Sequence, residues 1–263
     1  MNYLRLYWIY LKRSFVAKME FKMDFFIGIA GFFIQNLAYI LTIFFIVNSI
    51  PSLNGWNMYQ LGFLYGFTLM PIALDHLFTD ELWRIAYFRV ARGDVDSYFL
   101  RPVSVLFQVI AERFQPDALG ELVLGIIMML VCGPKCSIIF TWKLAVLFAV
   151  ATVFGAVCIT SIKIFASSFA WVYKRSGYIV QILYNFRRYA RYPLTIFPKA
   201  IRYFLCFAVP FGLMSTLPIE TLFFNTENPL ILSGKIILVS AILLSFSLFV
   251  WKINISRYES TGS

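Results

Sequence analysis

Four ionisable side chains interrupt segments that are otherwise apolar. Asp75 and His76 are adjacent in MYQLGFLYGFTLMPIALDHLFT. Glu121 lies in ALGELVLGIIMMLVCG, and Lys163 lies in LAVLFAVATVFGAVCITSIKIF. Ionisable groups inside a bilayer are costly, so those that occur commonly line a substrate or proton pathway or pair with one another. All four lie towards the inner ends of their segments, within reach of the interface or of each other. Two interpretations stay open, structural anchoring and a pathway.

The residue patterns of catalytic and metal sites are missing from the sequence. Gly234-Lys235 is followed by Ile236, so the phosphate-binding loop GxxxxGK[ST] is absent, and neither HExxH nor GxSxG occurs. CGPKC has three residues between its cysteines, and a single histidine argues against a cysteine–histidine metal site. We therefore predict a protein that is not an enzyme and uses no metal or cofactor. Any ATP hydrolysis must then come from another chain.

The composition requires lipid as the solvent. The 263 residues are 60% hydrophobic and 14% charged, and the mean hydropathy is +0.77. A soluble domain has about 45–50% apolar and about 25% charged residues. A chain with this many more apolar residues would lack enough polar residues to cover its surface in water. We expect an all-α integral membrane protein in which residues 1–263 form a single transmembrane domain.

The net charge of +10 fits the same interpretation. Basic residues of membrane proteins collect on the cytoplasmic side and set the orientation of the chain. This explanation is preferred to nucleic-acid binding, so the predicted partners include membrane lipids and no nucleic acid.

The apolar segments predict six transmembrane helices. A bilayer core about 30 Å thick needs about 20 apolar residues per helix. Ahead of them, residues 1–24 place Leu4, Tyr7 and Leu11 at three- and four-residue steps among basic residues, which predicts an amphipathic helix in the membrane interface. The predicted spans are 25–48, 58–79, 118–133 with its continuation, a span beginning at 142, one span between 170 and 218, and 231–251.

The position of the fifth span depends on the Pro-rich segment 178–218. In one arrangement, residues 172–198 form a cytoplasmic amphipathic loop and 199–218 cross the membrane. In the other, about 170–192 cross and 193–218 form a re-entrant hairpin at the outer face. Both arrangements give six spans with both termini inside.

The charge distribution favours the first arrangement, because it places 19 of the 23 Lys and Arg residues on the inner side. The second moves Arg187, Arg188 and Arg191 towards the outer half of a span. That position is costly unless the three side chains face a water-filled cavity or lipid headgroups. With the four charges above, they are candidate residues of a pathway or a subunit interface.

A charged turn, ARGDVDSYFLRPVS, lies in the predicted cytoplasmic loop 80–116. Gly93 is suited to cap the preceding helix, and Asp94 is a good N-cap for a new helix with Asp96 in its first turn. Pro102 ends that helix or bends the chain. A helix of two turns is unstable alone in water, so it must dock on the membrane surface or on another protein. Its apolar residues are Val95, Tyr98, Phe99 and Leu100.

The whole layout resembles the permeases of type-2 ABC exporters. Two stretches carry the resemblance, RGDVDSYFLRPVSVLFQ and RYPLTIFPKAIRYFLCFAVPFGLMSTLP, and both look like signatures of a bacterial subfamily of uncharacterised ABC-2-type permeases. The resemblance covers essentially the whole chain. It also favours the re-entrant arrangement, against the charge distribution.

The resemblance implies a protein of the bacterial plasma membrane that crosses it several times and has both termini in the cytoplasm. Such a permease has no nucleotide site, pairs with a second permease, itself or a related chain, and meets ATPase subunits. ATP-driven alternating access would export an amphiphilic substrate, namely a drug, antimicrobial peptide, lipid or glycolipid. The alternative is a secondary transporter or channel that works without an ATPase. The resemblance assigns the ATPase-coupling helix to Arg92, Gly93, Asp94, Val95, Asp96, Tyr98, Phe99, Leu100, Arg101 and Pro102.

Overall fold

The regular structure of the chain is helical. The computed structural model describes residues 3–20, 22–49 and 54–260, and in these ranges it contains no strand. The α-helices are α1 (Tyr3–Glu20), α2 (Lys22–Ser49), α3 (Met58–Thr79), α4 (Glu81–Arg84), α5 (Val90–Arg92), α6 (Asp96–Phe99), α7 (Val105–Glu112), α8 (Leu119–Cys132), α9 (Trp142–Ser168), α10 (Ala170–Tyr173), α11 (Gly177–Asn185), α12 (Lys199–Tyr203), α13 (Phe211–Met214), α14 (Thr216–Phe224) and α15 (Pro229–Ile255).

Five helical stretches of the described ranges are long and apolar enough to cross a membrane. The all-α membrane class predicted from the sequence is therefore confirmed, with five such helices where six spans were expected. Most of their surface is exposed, except along α3, because lipid can cover apolar side chains that water cannot. The five stretches are Met23–Thr42, Met58–Thr79, Pro116–Cys136, Trp142–Tyr173 and Pro229–Ile255.

The helix α3 lies at the centre of the molecule, with α2, α8 and α9 packed against it. It begins with a capping box, in which the Asn57 side chain accepts from the Gln60 backbone N–H and the Gln60 side chain accepts from that of Asn57. Gly66 of α3 faces Gly125 of α8 so closely that a Cβ added to Gly66 would lie 2.8 Å from the Gly125 carbonyl oxygen. Small residues allow membrane helices to approach in this way.

Two ends of the molecule can be distinguished. The charged end is where α3 finishes and where α4 to α7 lie, and the opposite end is where α3 begins. At the charged end α1 lies along the surface with no buried residue, and its Lys18 Nζ is 2.9 Å from Asp117 Oδ2. The ring centroid of Tyr3 is 5.0 Å from that of Phe107 in α7. A helix therefore forms from Tyr3 to Glu20, within the predicted range 1–24.

The segment after α10 passes along α3 in the opposite direction. It consists of α11, a 3-10 helix over Phe186–Arg191 and another over Leu194–Ile196. Its contacts move steadily from the charged end to the opposite end. In chain order they are Ser176 N–H to Ala86 O at 2.8 Å, Tyr184 Oη to His76 Nε2 at 2.5 Å, Thr68 Oγ1 to Ala190 O at 3.3 Å, and Asn54 Nδ2 to Thr195 O at 3.0 Å.

No single helix forms over 199–218, which the charge distribution had favoured as the fifth span. The segment is divided into α12, a π-helix over Phe204–Ala208, α13 and α14. Pro210 supplies no backbone N–H, so the helix cannot continue through it. The chain turns back there, and Arg202 on the first arm lies 3.0 Å from Glu220 on the second. The first arm follows Leu194–Ile196 and the second arm leads to the start of α15, and both of these connections lie at the opposite end of the molecule.

The charged turn differs from the sequence prediction in its helix. Gly93 caps α5 with φ +77°, as expected. Asp94 belongs to the turn that ends α5, in which its N–H bonds to the Arg89 carbonyl, so it lies one residue too early to be the N-cap of the new helix. Val95 takes the N-cap position without a side-chain hydrogen bond, and the new helix α6 has one turn rather than two.

Candidate functional site

The ionisable residues of the apolar segments meet in one buried cluster near the charged end. The helix α3 supplies Asp75 and His76, which point about 100° apart because they are adjacent on a helix. Asp75 therefore meets Lys163 of α9, whereas His76 meets Glu121 of α8. One helix thus makes two polar contacts with two different neighbours.

The first half of the cluster surrounds the Lys163 ammonium group. Its Nζ lies 2.7 Å from Asp75 Oδ2 and 3.0 Å from Asp80 Oδ1, and it donates to Thr79 Oγ1 at 3.3 Å. The side chains of Lys163 and Asp75 are both 0% exposed. The second oxygen of Asp75 accepts from Thr79 at 2.6 Å and from Thr160 at 3.0 Å. The buried pair is thus fully hydrogen-bonded, which burial of charge requires.

The second half surrounds the His76 imidazole. Its Nδ1 lies 2.7 Å from Glu121 Oε2, and its Nε2 lies 2.5 Å from Tyr184 Oη and 3.0 Å from Arg187 Nη1. A guanidinium only donates, so Nε2 accepts and the ring proton lies on Nδ1, facing the carboxylate. This arrangement fits a neutral imidazole that donates to Glu121.

The Tyr184 hydroxyl joins the two halves. It lies 3.4 Å from Asp75 Oδ2 and accepts from Arg187 Nη1 at 2.8 Å, and the Arg187 guanidinium stacks 4.2 Å from the Tyr184 ring centroid. The network therefore runs without a gap from Lys163 on α9 to Glu121 on α8.

Arg191 borders the cluster without joining it. Its guanidinium lies 3.9 Å from the ring centroid of Tyr39 and 5.5 Å from that of Tyr65. Its Nε and Nη1 atoms have no hydrogen-bond partner in the part of the chain that the structure describes. Arg191 is 6% exposed, whereas Arg188 is exposed. Of the seven predicted residues, the structure brings Asp75, His76, Glu121, Lys163 and Arg187 into one network and places Arg188 and Arg191 beside it.

Of the ten residues predicted for ATPase coupling, two are buried, two (Gly93 and Asp96) are partly exposed, and six are exposed. Val95 and Tyr98 are buried, in the same apolar cluster as Trp171 and Trp251. Phe99 is half-exposed and stacks on the Tyr258 ring at 5.3 Å. Leu100 is 86% exposed, more than any other apolar residue that the structure describes. The exposed group consists of Arg92, Asp94, Phe99, Leu100, Arg101 and Pro102.

A second polar group holds the turn from beneath. Arg89 Nη1 lies 2.6 Å from Glu81 Oε1 and 2.9 Å from Glu112 Oε2, and it donates to Tyr98 Oη at 2.6 Å. Burial raises the pKa of the Glu81 carboxyl above its usual range, and Arg89 opposes that rise. Burial, together with the hydrogen bond to Glu112, raises the pKa of the Tyr98 phenol. Hydrogen bonds from Ser260 and Tyr258 lower the pKa of Asp96.

Several residues in and beside the cluster escaped the sequence prediction. Tyr184, Thr160 and Tyr39 carry no formal charge, and Asp80, which is 3.0 Å from Lys163 Nζ, falls in the predicted cytoplasmic loop rather than in an apolar segment. One signal was present in the sequence: Tyr184, Arg187 and Arg191 stand at positions i, i+3 and i+7, which share one face of a helix.

The fold and the cluster define a multi-pass membrane protein whose apolar helices enclose buried charges. A family model described as ABC-2 family transporter protein matches residues 33–262, nearly the whole chain. The chain therefore belongs to the ABC-2 transporter family and is an ABC-2-type permease. A comparison with curated proteins finds no significant match.

Proposed function

We propose that the chain is the membrane-spanning subunit of an ATP-driven exporter and couples to a separate ATPase subunit. The family match supports the transport role. The exposed turn around α6 supports the coupling role, because an apolar side chain as exposed as Leu100, flanked by charged residues, is suited to a groove on another protein. That exposure is the observation on which the coupling proposal depends.

We further propose that the chain crosses the membrane six times, with the segment 177–196 as a crossing in addition to the five long apolar helices. Its contacts follow α3 from end to end, and the hairpin after it turns back at Pro210. These contacts support the re-entrant arrangement that the family resemblance favoured. The basic residues of α4 to α7, of the α10–α11 connection and of the end of α15 then lie in the cytoplasm with both termini.

The helical path from Met58 to Arg92 is the proposed route from the ATPase to the substrate path. Asp80 between α3 and α4 keeps helical angles, so α3, α4, the π-helix Ile85–Arg89 and α5 follow one another almost without interruption. A movement imposed on the turn is then carried to Asp75 and His76. ATP shifts the equilibrium because it binds the closed ATPase dimer better than the open one. The substrate is an amphiphile, and the second permease is a copy of this chain or a related one.

A secondary transporter remains the second candidate function, and one observation favours it. Such a protein requires buried ion pairs along its path, and the pair between Lys163 and Asp75 is one. Transport in vesicles that continues without ATP and follows a proton gradient would select this candidate.

The test of the coupling proposal is co-purification with an ATPase chain that carries GxxxxGK[ST] and is encoded beside this one. Leu100→Asp should abolish the association, because it places a charge in the contact. Ile139→Asp is the matched control, since Ile139 is 83% exposed but lies between α8 and α9 at the opposite end. Equal co-purification of both variants with the wild type would reject the assignment of the turn.

A further inference from the structure

Around Arg191 the buried cluster has more cations than carboxylates, because Arg187, Arg188 and Arg191 lie near a single carboxylate of the described residues, that of Glu121. Asp75 and Asp80 are both bonded to Lys163, and Glu121 is bonded to His76. None of the ion pairs found among residues 3–20, 22–49 and 54–260 includes Arg187 or Arg191. A buried charge is costly without a partner.

Arg191 is the residue in which this excess is most evident. Its side chain is more than nine-tenths buried, and two of its nitrogen atoms lack an acceptor among the described residues. Tyr39 and Tyr65 fix the guanidinium by their rings, and the Tyr65 hydroxyl is already bonded to Asn36 Oδ1 at 2.7 Å. The donors of Arg191 are therefore held in place and left unused.

Arg191 lines a small polar cavity of about 110 Å³ between α2, α3, α8 and α11. A water molecule occupies roughly 30 Å³, so the cavity has room for a few waters or for one compact anionic group. The guanidinium has the planar geometry that recognises phosphate and carboxylate by two parallel hydrogen bonds. The cationic residues of the lining are Arg187, Arg188 and Arg191, with Glu121 the carboxylate, already bonded to His76.

A larger cavity of about 500 Å³ adjoins the small one and shares Tyr39, Asn185, Arg188 and Arg191 with it. Its remaining lining is largely apolar or aromatic and includes Ile182, Phe186, Tyr189 and Tyr192. A volume of 300–1,000 Å³ is the usual range for a cavity that holds a small ligand. Together the two cavities offer a cationic pocket beside an apolar one, which is complementary to an anionic amphiphile.

We propose that the Arg191 cavity binds the anionic headgroup of an amphiphilic ligand, whose apolar part occupies the adjoining larger cavity. This inference rests on the proposed transport function, and it specifies that the transported amphiphile is anionic. Arg191 and Arg187 bind the anion from the buried side, and Arg188 binds it from the exposed side.

The test measures equilibrium binding to the purified full chain in nonionic detergent by native mass spectrometry. The probes are dioctanoyl phosphatidylglycerol, which is anionic, dioctanoyl phosphatidylcholine, which is zwitterionic, and inorganic phosphate. The wild type should bind the anionic lipid most tightly. Arg191→Gln should weaken that binding by about 10- to 100-fold, the usual effect of losing hydrogen bonds to a charged group.

Two further variants control the experiment. Arg188→Gln changes an exposed side chain, so this variant should fold even if Arg191→Gln does not. It should also weaken the binding of the anionic lipid. Arg175→Gln removes an exposed positive charge away from the cavities and should leave binding unchanged. Inorganic phosphate that binds as tightly as the anionic lipid would identify a free anion as the ligand in place of an amphiphile.

Equal binding of the two lipids by the wild type, or wild-type binding in both cavity variants, would overturn the proposal. The assay contains neither ATP nor an ATPase. Its failure therefore leaves the coupling proposal standing, and the loss of ATPase co-purification in Leu100→Asp has no bearing on the anion site.

Discussion

At the scale of single residues, the Lys163 ammonium group is the most constrained charge in the molecule. It is completely buried and is held by Asp75, Asp80 and Thr79 at once. Such a group is stable only while its partners remain, because a buried charge that loses its partner keeps the full cost of desolvation. The same dependence applies to the carboxylate of Asp75.

We predict that Lys163→Met lowers the free energy of unfolding by roughly 3–5 kcal/mol, since it leaves Asp75 buried without its counter-charge. Adding Asp75→Leu should recover a large part of the loss, because Asp80, the carboxylate that remains, is partly exposed to solvent. Unfolding of the purified chain in detergent, followed for the wild type, both single variants and the double variant, measures the coupling. A single-variant cost below about 1 kcal/mol, as for exposed pairs, would contradict the assigned geometry.

The sequence identified the charged members of this cluster within the apolar segments, but neither Asp80, which directly follows α3, nor the arrangement of the charges. Each of Asp75, Glu121 and Lys163 stands out because a charge in an apolar segment is rare. Tyr184 does not stand out in this way, because the chain contains 15 tyrosines. The partner of each charge depends on how three helices rotate against one another, and no local pattern encodes that rotation.

At the scale of helices, the contact between α3 and α8 depends on the absence of side chains at Gly66 and Gly125. A Cβ on either glycine would approach the carbonyl oxygen of the other, at 2.8 Å from Gly66 and 2.7 Å from Gly125. The backbones would have to separate to accommodate it, and Glu121 on α8 would move away from His76 on α3. The charge network therefore requires this close approach.

We predict that Gly66→Ala lowers the free energy of unfolding by about 1–3 kcal/mol, the usual cost of overpacking, although alanine favours helices. Gly234→Ala in α15 is the matched control, because an added Cβ there meets nothing within 4 Å. It should be neutral or should stabilise by up to about 1 kcal/mol. Equal effects of the two substitutions in chemical unfolding would show that the contact does not matter.

The helices differed from prediction where two local signals competed. Asp94 has the residue type of an N-cap, but it lies in the turn that ends α5 after Gly93, and Val95 takes the N-cap position. In 178–218, counting charges favoured a loop followed by a span, whereas the structure gives an antiparallel segment and a hairpin. Counting charges assigns every arginine to one side of a membrane, so it cannot represent Arg187 and Arg191, which are accommodated by tyrosines within the protein. The five long apolar helices could be predicted from hydropathy alone, without knowledge of how individual side chains are paired.

At the scale of the whole molecule, the proposed six crossings place Thr195 and Leu100 on opposite sides of the membrane. In a chain whose four native cysteines are replaced by alanine, Thr195→Cys should react with an impermeant maleimide added outside intact cells. Leu100→Cys should react only after the cells are opened, because its turn lies inside. Both side chains are exposed, so access depends on sidedness alone. Labelling of Thr195→Cys only from within would restore the cytoplasmic-loop arrangement.

The adjacency of Asp75 and His76 has a mechanical consequence for the molecule. Because α3 is stiff, turning it about its own axis by even a fraction of a helical turn pulls Asp75 from Lys163 and His76 from Glu121 together. Neither contact can open while the other stays closed, because both side chains turn with the same helix. Twisting of α3 should therefore meet a latch that is released only by a force large enough to open both contacts in one movement.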